Sequence, residues 1–264
     1  MLLAMPTAKS EARSTLVSTY YDTPTLALHR ERLSLRVRKQ GSEFVQTVKV
    51  EDPARLDILE RGEWEDHIRS IWPVLDAPKT GKRLRDWVRD EELRPVFTTT
   101  VTRTAIEISP DPSARIEAAI DEGEIRACSR GAAAPISEIE LELKKGDPRV
   151  IFDVALQLLE TEPIRIEPCS KAERGYRLVG ADRLMPQAVH VGPISLDPAM
   201  SVEAALQRIG RRCLTHVLSN EQAALAGDPE GIHQMRVAVR RLRSALLALK
   251  QLLQEKHYHG PRRN

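Results

Sequence analysis

The sequence predicts an α+β protein, with an antiparallel, strand-rich first part carrying flanking helices and a helical hairpin behind it. Three observations carry this. Short segments of period-2 alternation fill the chain up to about residue 186. Apolar residues take helical spacing after about residue 200. No sustained strand–helix alternation occurs, which argues against a doubly wound parallel sheet. With 264 residues, one domain per about 150 residues gives one or two domains.

In order along the chain, residues 15–21, 33–37, 44–50, 97–108, 114–120 and 136–143 read as strands. Most of them alternate apolar with polar positions, and they are rich in Val, Ile, Leu, Thr or Tyr. Residues 52–59, 81–87 and 148–159 read as helices, the last with Pro148 at its start, where the missing amide is tolerated. Residues 186–197, with Pro186, Gly192 and Pro193, read as a linker between domains at 1–185 and 198–264. Ser201 is the expected N-cap of a helix bearing Val202, Leu206, Ile209, Cys213 and Val217 at helical spacing. After Gly227-Asp-Pro-Glu-Gly231 a second helix runs to about Gln254, with Met235, Val239, Leu242, Leu246 and Leu249 on one face. The pair is an αα-hairpin.

Composition narrows the function classes. Forty Lys+Arg against 38 Asp+Glu leave a net charge of +2, so the global field favours neither nucleic acid nor an anionic membrane. No apolar run approaches the ~18 residues of a membrane span, and the opening MLLAMPTAKS lacks the basic region of a signal peptide. Cys128, Cys169 and Cys213 are scattered without a CxxC, as expected of ordinary thiols in a reducing cytoplasm.

The charges of the strands are ordered. Arg36 and Arg38 share one face of their strand while Leu33, Leu35 and Val37 take the other. Lys49 lies with Thr47, Arg61 with Glu63 and Glu65, and Asp121 with Glu117 and Ala119, while Glu138, Glu140 and Glu142 stack on a single face. For any one strand, a solvated face suffices. Three carboxylates in successive same-face positions repel one another, however, and make sense opposite cations or around a hard ion such as Mg2+ or Mn2+. Arg36 and Arg38 offer the planar fork that fits phosphate oxygens, and Lys49 adds a point charge. A closed barrel of about eight strands has room for side chains and one small ligand. These faces, turned inward, would line a lumen suited to metal plus polyanion.

These residues also carry a resemblance. Ser18-Thr-Tyr-Tyr-Asp-Thr-Pro24, Leu33-Ser-Leu-Arg-Val-Arg38, Gln46-Thr-Val-Lys49, Ser137-Glu-Ile-Glu-Leu-Glu-Leu143 and Ser170-Lys-Ala-Glu-Arg-Gly-Tyr176 occur in the order of CYTH domains, the triphosphate tunnel metalloenzymes. The likeness covers about residues 15–182. His233-Gln-Met-Arg-Val-Ala-Val-Arg-Arg-Leu-Arg-Ser244 resembles the start of a CHAD domain, and the pairing resembles bacterial inorganic triphosphatases.

The resemblance implies an eight-stranded antiparallel tunnel in which metal-activated water attacks a terminal phosphoryl group, splitting inorganic triphosphate into diphosphate and phosphate. Carried over by motif, Arg36, Arg38, Lys49, Arg103 and Lys171 would bind phosphate, and Glu138, Glu140 and Glu142 would hold Mg2+ or Mn2+. Glu63, Glu65 and Asp121, with Lys49, would form the catalytic surroundings, and Tyr21 and Asp22 would shape the wall. The family's first strand bears a Glu-x-Glu-x-Lys motif that nothing before Ser18 matches, and the chain ends after one helical hairpin of a longer bundle. The expectation is a chain incomplete at both ends, its barrel lacking the first strand.

On the second hairpin helix, His233, Arg236, Arg240 and Arg243 form one stripe with Arg241 beside it, and no Asp or Glu occurs from Gly231 through Gln254 to relieve the repulsion. That suggests a polyanion ligand. The helix segment has no aromatic residue for base stacking, which argues against single-stranded nucleic acid and makes nucleic acid the lesser candidate; the CHAD resemblance implies long-chain polyphosphate. The alternatives are a non-catalytic polyphosphate-binding protein and a CYTH-type thiamine-triphosphatase or adenylate cyclase. The latter ranks lower because no aromatic cluster near the lumen residues offers a clamp for a ring.

Overall fold

The computed structural model describes residues 8–50, 62–88, 91–129, 131–167, 169–180 and 188–258. The alternating segments become β1 (Ala8–Asp22), β2 (Leu33–Gln40), β3 (Glu43–Val50), β4 (Glu63–Ile68), β5 (Arg94–Ile108), β6 (Arg115–Ala127) and β7 (Ala133–Lys145). They form one antiparallel sheet of seven strands in the order β4-β3-β2-β1-β5-β6-β7. Seven strands thus lie among the described residues, where the expectation is an eight-stranded barrel lacking its first strand, and among those residues β4 and β7 are the two edges of the sheet. β1 starts at Ala8 rather than near residue 15, because its pairing with β5 extends from Asp22↔Arg94 back to Ala8↔Ile108. The helix expected at 52–59, and Arg61, lie outside the described residues.

The two faces of the sheet differ in chemistry. One is apolar and covered in two places. Leu33, Leu35, Val37 and Val48 pack with Leu28 of α1 (Ala27–Arg30) and with Leu84 and Val88 of α2 (Gly81–Val88). Ile106, Ile108, Ile116 and Ala118 pack with Ile151, Val154 and Leu158 of α3 (Arg149–Thr161). The stretch between β4 and α2 is pinned to the same side: Asp66 accepts from the amide and hydroxyl of Thr80, both at 2.7 Å. Buried Gln46 donates to the carbonyl of Val74 and accepts from its amide.

The other face is polar along much of its length and apolar at one end, where α4 (Lys171–Leu178) settles on it. α4 carries too few apolar residues to be read from periodicity. Its start is nevertheless written in the sequence as a Ser-x-x-Glu box, and the Ser170 hydroxyl accepts the Glu173 amide at 3.1 Å. Ala172 and Tyr176 of α4 pack on Tyr20, Phe97, Val101, Ile125 and Ile136. The approach is close at Gly175, where a β-carbon would stand 2.1 Å from Cε2 of Phe97. Only glycine fits.

The described chain divides into two compact units at about residue 181. The second holds α5 (Val202–Leu225) and α6 (Pro229–Tyr258). Ser201 caps α5, its hydroxyl accepting the Ala204 amide at 3.2 Å. The contact stripe differs from the aliphatic one expected. Gly231, Gln234 and Ala238 of α6 are buried, as are Cys213, His216, Asn220 and Ala223 of α5, whereas Val239 and Leu246 are 55% and 48% exposed. Small residues explain the rotation: a β-carbon on Gly231 would come within 2.8 Å of Ala223 Cβ, so the two helices approach along their smallest positions. Residues 189–192 lie on this pair. The Val189 carbonyl accepts from His216 Nε2 and Asn220 Nδ2, both at 3.0 Å, and the Val191 carbonyl accepts from Arg241 at 3.2 Å.

Substituting Gly175→Ala should destabilise the strand-rich unit by about 1–3 kcal/mol through overpacking against the buried Phe97 ring, with the urea m-value unchanged. Equilibrium urea unfolding measures it, and a cost under ~0.5 kcal/mol would show that α4 shifts freely on the sheet.

Candidate active site

Register decides which side chains share a face, because directly opposed residues of antiparallel strands point to the same side. Glu65, Thr47, Arg36 and Tyr20 form one such row across β4, β3, β2 and β1, and Glu63, Lys49 and Ser34 form the next. Arg38, Ser18, Thr99 and Ile125 form a third, and Arg103, Asp121 and Glu138 a fourth, reached from β1 through Ser14. Ala105, Ala119 and Glu140 follow. Arg36, Arg38, Lys49, Glu63, Glu65, Arg103, Asp121, Glu138 and Glu140 therefore all lie on the face that receives α4.

Charge is divided along this face. On β2–β4, Arg36 donates to Thr47 Oγ1 at 3.2 Å and lies 3.8 and 3.7 Å from Glu63 and Glu65, while Lys49 pairs with Glu63 at 2.9 Å. Arg36 Nε is buried without a hydrogen-bond partner. Arg38 donates to Ser18 Oγ at 3.3 Å and has no carboxylate at ion-pair distance among the described residues. Burial, and then the neighbouring charge of Arg36, lower its pKa to about 10. A half-buried guanidinium beside another cation is a site short of anions.

On β6–β7 the carboxylates are matched by cations. Arg103 grips Asp121 through two hydrogen bonds of 2.7 Å and reaches Glu140 at 2.5 Å. From α4, the Lys171 ammonium meets Asp121 at 2.8 Å, Glu140 at 2.7 Å and Glu138, while Arg174 pairs with the other oxygen of Glu138. Burial pushes the Asp121 and Glu140 carboxyls up, but the hydrogen bonds and charges of Arg103 and Lys171 outweigh it and hold both below their ordinary values. Lys171 is held above its ordinary value, since Glu140, Asp121 and Glu138 together overcome its burial.

Asp121, Glu138 and Glu140 each offer an oxygen within 4.8 Å of the others. An all-oxygen set of this size fits Mg2+ or Mn2+. The set differs from the three glutamates expected. Glu142 shares the face, but two residues farther along β7 it is exposed and pairs with Lys144 at 2.8 Å. Asp121 takes the third position because its register opposite Glu138 sets it beside Lys171. Arg174 was not among the expected residues. Its spacing of three from Lys171 on a capped helix was the available sign.

An aromatic cluster does adjoin this face, contrary to expectation. Tyr20 stacks on Phe97 at 4.5 Å and Tyr176 meets Phe97 edge-on at 5.3 Å. It is sealed by α4, the three rings being 5%, 0% and 1% exposed, and so is closed to a ligand's ring. Asp22, at the end of β1, accepts from the amides of Thr23, Leu28 and His29 and from the Tyr176 hydroxyl; it ties α1 to α4.

In the second unit, His233, Arg236, Arg240, Arg241 and Arg243 are all exposed on α6, with Arg241 also donating to the backbone at Val191 and Gly192. Arg208, Arg211 and Arg212 of α5, which sequence reasoning passed over, line a cleft of 560 Å³ with Met200, Thr215 and residues 193–195.

Residues 2–176 match the CYTH domain, and residues 208–263 match the CHAD domain. An inorganic triphosphatase of Haemophilus influenzae is 32% identical over 163 residues, which are 62% of this chain and 46% of that protein. The chain thus spans about half the length of that relative. A Bacillus halodurans protein described as a candidate adenylate cyclase overlaps 61% of this chain and 82% of its own, at 19% identity and a TM-score of 0.41. A Hippeastrum candidate adenylyl cyclase with a dominant triphosphatase activity overlaps 66% and 85%, at 13% identity and a TM-score of 0.40. Superpositions this partial place no strand or residue.

Because Asp121 and Glu140 titrate lower in the folded chain than unfolded, their stabilising effect is whole above about pH 4.3 and is lost as pH falls through the lowered folded values. Asp121→Asn should cost about 3 kcal/mol at pH 7, the low end for a broken buried pair because Glu138 and Glu140 still hold the cations. It should also flatten the acid limb of stability. Urea unfolding at pH 7, 5 and 3 measures both, and an acid limb as steep as in the wild type would contradict the assignment.

Proposed function

The chain belongs to the CYTH domain family, and on that premise we propose that it hydrolyses inorganic triphosphate to diphosphate and phosphate with a divalent metal ion. One observation carries this reading: a single sheet face bears a cation cluster of Arg36, Arg38 and Lys49, in which Arg38 has no carboxylate at ion-pair distance among the described residues, and a carboxylate cluster at Asp121, Glu138 and Glu140. Phosphoryl transfer asks for charge neutralisation and alignment more than covalent chemistry, and this face offers both.

In this reading Arg36, Arg38 and Lys49 hold the phosphates, the two guanidiniums through paired N–H groups. Glu63 and Glu65 hold Arg36 and Lys49 in place until the substrate arrives. Asp121, Glu138 and Glu140 would hold Mg2+ or Mn2+, which supplies Lewis-acid polarisation of a phosphoryl oxygen and a water of lowered pKa. Arg103 fixes the orientation of Asp121 and Glu140 from behind. Lys171 turns between carboxylates and phosphate. The sealed aromatic cluster favours a substrate without a ring, so inorganic triphosphate ranks above ATP and thiamine triphosphate. The three cysteines are free thiols, in keeping with a cytoplasmic setting, and no helix among the described residues is long and apolar enough to cross a membrane.

The exposed α6 stripe supports a second role, the binding of long-chain polyphosphate by His233, Arg236, Arg240, Arg241 and Arg243. From Gly231 through Gln254 no Asp or Glu stands on α6 to compete for them.

Phosphate release from tripolyphosphate should require Mg2+ or Mn2+, vanish with EDTA, and exceed release from ATP. Glu140→Ala should lower it at least about a hundredfold, the upper end for residues that merely support a metal ligand. EDTA-insensitive release would count against the metal. Polyphosphate affinity should fall steeply with salt, as counterion release dictates. Arg240→Ala with Arg243→Ala should flatten that slope, whereas the paired surface control Arg94→Ala with Arg126→Ala should not. Equal losses from both pairs would mean bulk charge binds.

A further inference from the structure

We propose that Lys171 is a tethered cation that closes the carboxylate triad to divalent ions, so that metal entry and release of this ammonium are one exchange. This rests on the metal reading of Asp121, Glu138 and Glu140. An ammonium has three N–H donors, and here Lys171 directs them at three carboxylates: Asp121 at 2.8 Å, Glu140 at 2.7 Å, and Glu138. It is coordinated as an ion would be. A hard cation needs these same oxygens at about 2.0–2.6 Å, and the oxygens lie within 4.8 Å of one another. The space between them takes one cation or the other.

The surroundings are built so that the exchange disturbs little. The backbone of Lys171 is fixed by the Ser170 cap and by the buried Ala172, Gly175 and Tyr176, while its four-carbon stem can swing without moving the helix. When it leaves, Arg103 still holds Asp121 and Glu140, and Arg174 still holds Glu138. The triad keeps its orientation. Charge gives the exchange a direction. Three carboxylates meet three cations, Arg103, Lys171 and Arg174, and the cluster is neutral. Replacing the ammonium by a divalent ion leaves it positive and frees a further cation to face the substrate. Metal loading thereby converts a self-satisfied face into one that attracts a polyanion, and the empty chain keeps no open anionic site for stray ions.

The test uses the full chain and Mn2+ alone, without any phosphate, which would itself chelate the metal. Mn2+ affinity is read by electron paramagnetic resonance for the wild type, Lys171→Met, Lys171→Arg and Glu140→Gln. Acylation of Lys171 in the wild type, with and without Mn2+, is read by mass spectrometry. Lys171→Met should bind Mn2+ at least about tenfold tighter than the wild type, Lys171→Arg should not, and Mn2+ should raise acylation of Lys171 relative to exposed lysines. Unchanged or weaker affinity in Lys171→Met, with Glu140→Gln still abolishing binding, overturns the exchange and leaves the metal site standing. Glu140→Gln binding Mn2+ as the wild type does overturns the metal reading and the exchange with it. Thermal melting checks that each variant folds; if Lys171→Met does not, the acylation assay decides, and protection unchanged by Mn2+ overturns the proposal.

Discussion

The site depends on one constraint, the register of an antiparallel sheet whose faces are chemically opposite. A slip of one residue between any two strands would carry that strand's whole set of charges to the apolar side and its aliphatic residues to the polar one. The register is held from outside by the packing of Leu35, Val37 and Val48 against α1 and α2, and of Ile106, Ile116 and Ala118 against α3. It is held from inside by ion pairs that are good only in this alignment, such as Arg103 with Asp121 directly opposite. The hydrophobic term and the electrostatic term specify the same arrangement, so the polar face can carry buried charge without losing its uniqueness.

That polar face is not uniformly satisfied. Its carboxylate end is saturated by Arg103, Lys171 and Arg174, whereas its cation end leaves Arg38 with a serine hydroxyl and Arg36 Nε without a partner. Burying a guanidinium without an anion is costly, and the sheet tolerates it because the apolar face and the α4 contact supply the stability. The shortfall sits where a polyanion would supply the missing charge. α4 connects the two properties, since Ala172 and Tyr176 anchor it to the sheet while Lys171 and Arg174 reach the carboxylates.

The second unit is organised differently. Its two helices meet along glycine, alanine and polar positions, with Asn220 and His216 turned to the backbone of Val189. Close approach through small residues leaves larger aliphatic side chains such as Leu214, Val239 and Leu246 exposed. The arginines of α6 lie exposed beside them.

Much was legible in the sequence because alternation is a local property. The parity of Arg36, Arg38, Lys49, Glu63, Glu65, Asp121, Glu138 and Glu140 follows from the two-residue repeat of a strand, and the structure puts all of them on one face. The caps of α4 and α5 are likewise local, each a serine with a hydroxyl three residues from the amide it accepts. Partner choice was not legible. That Asp121 rather than Glu142 completes the carboxylate set, that Lys171 points at carboxylates, and that Tyr20, Phe97 and Tyr176 seal together all depend on how β6 and β7 align and where α4 lands. The contact stripe of α6 was misjudged for a related reason: hydrophobicity ranks residues by size, whereas helix approach is set by the smallest ones, Gly231 and Ala238. The sequence by itself determined which residues can face a common side, since that needs only the period of the backbone. The tertiary structure alone decided which of them meet, since contacts between residues distant in sequence, such as Asp121 and Lys171, exist only once separate elements have packed.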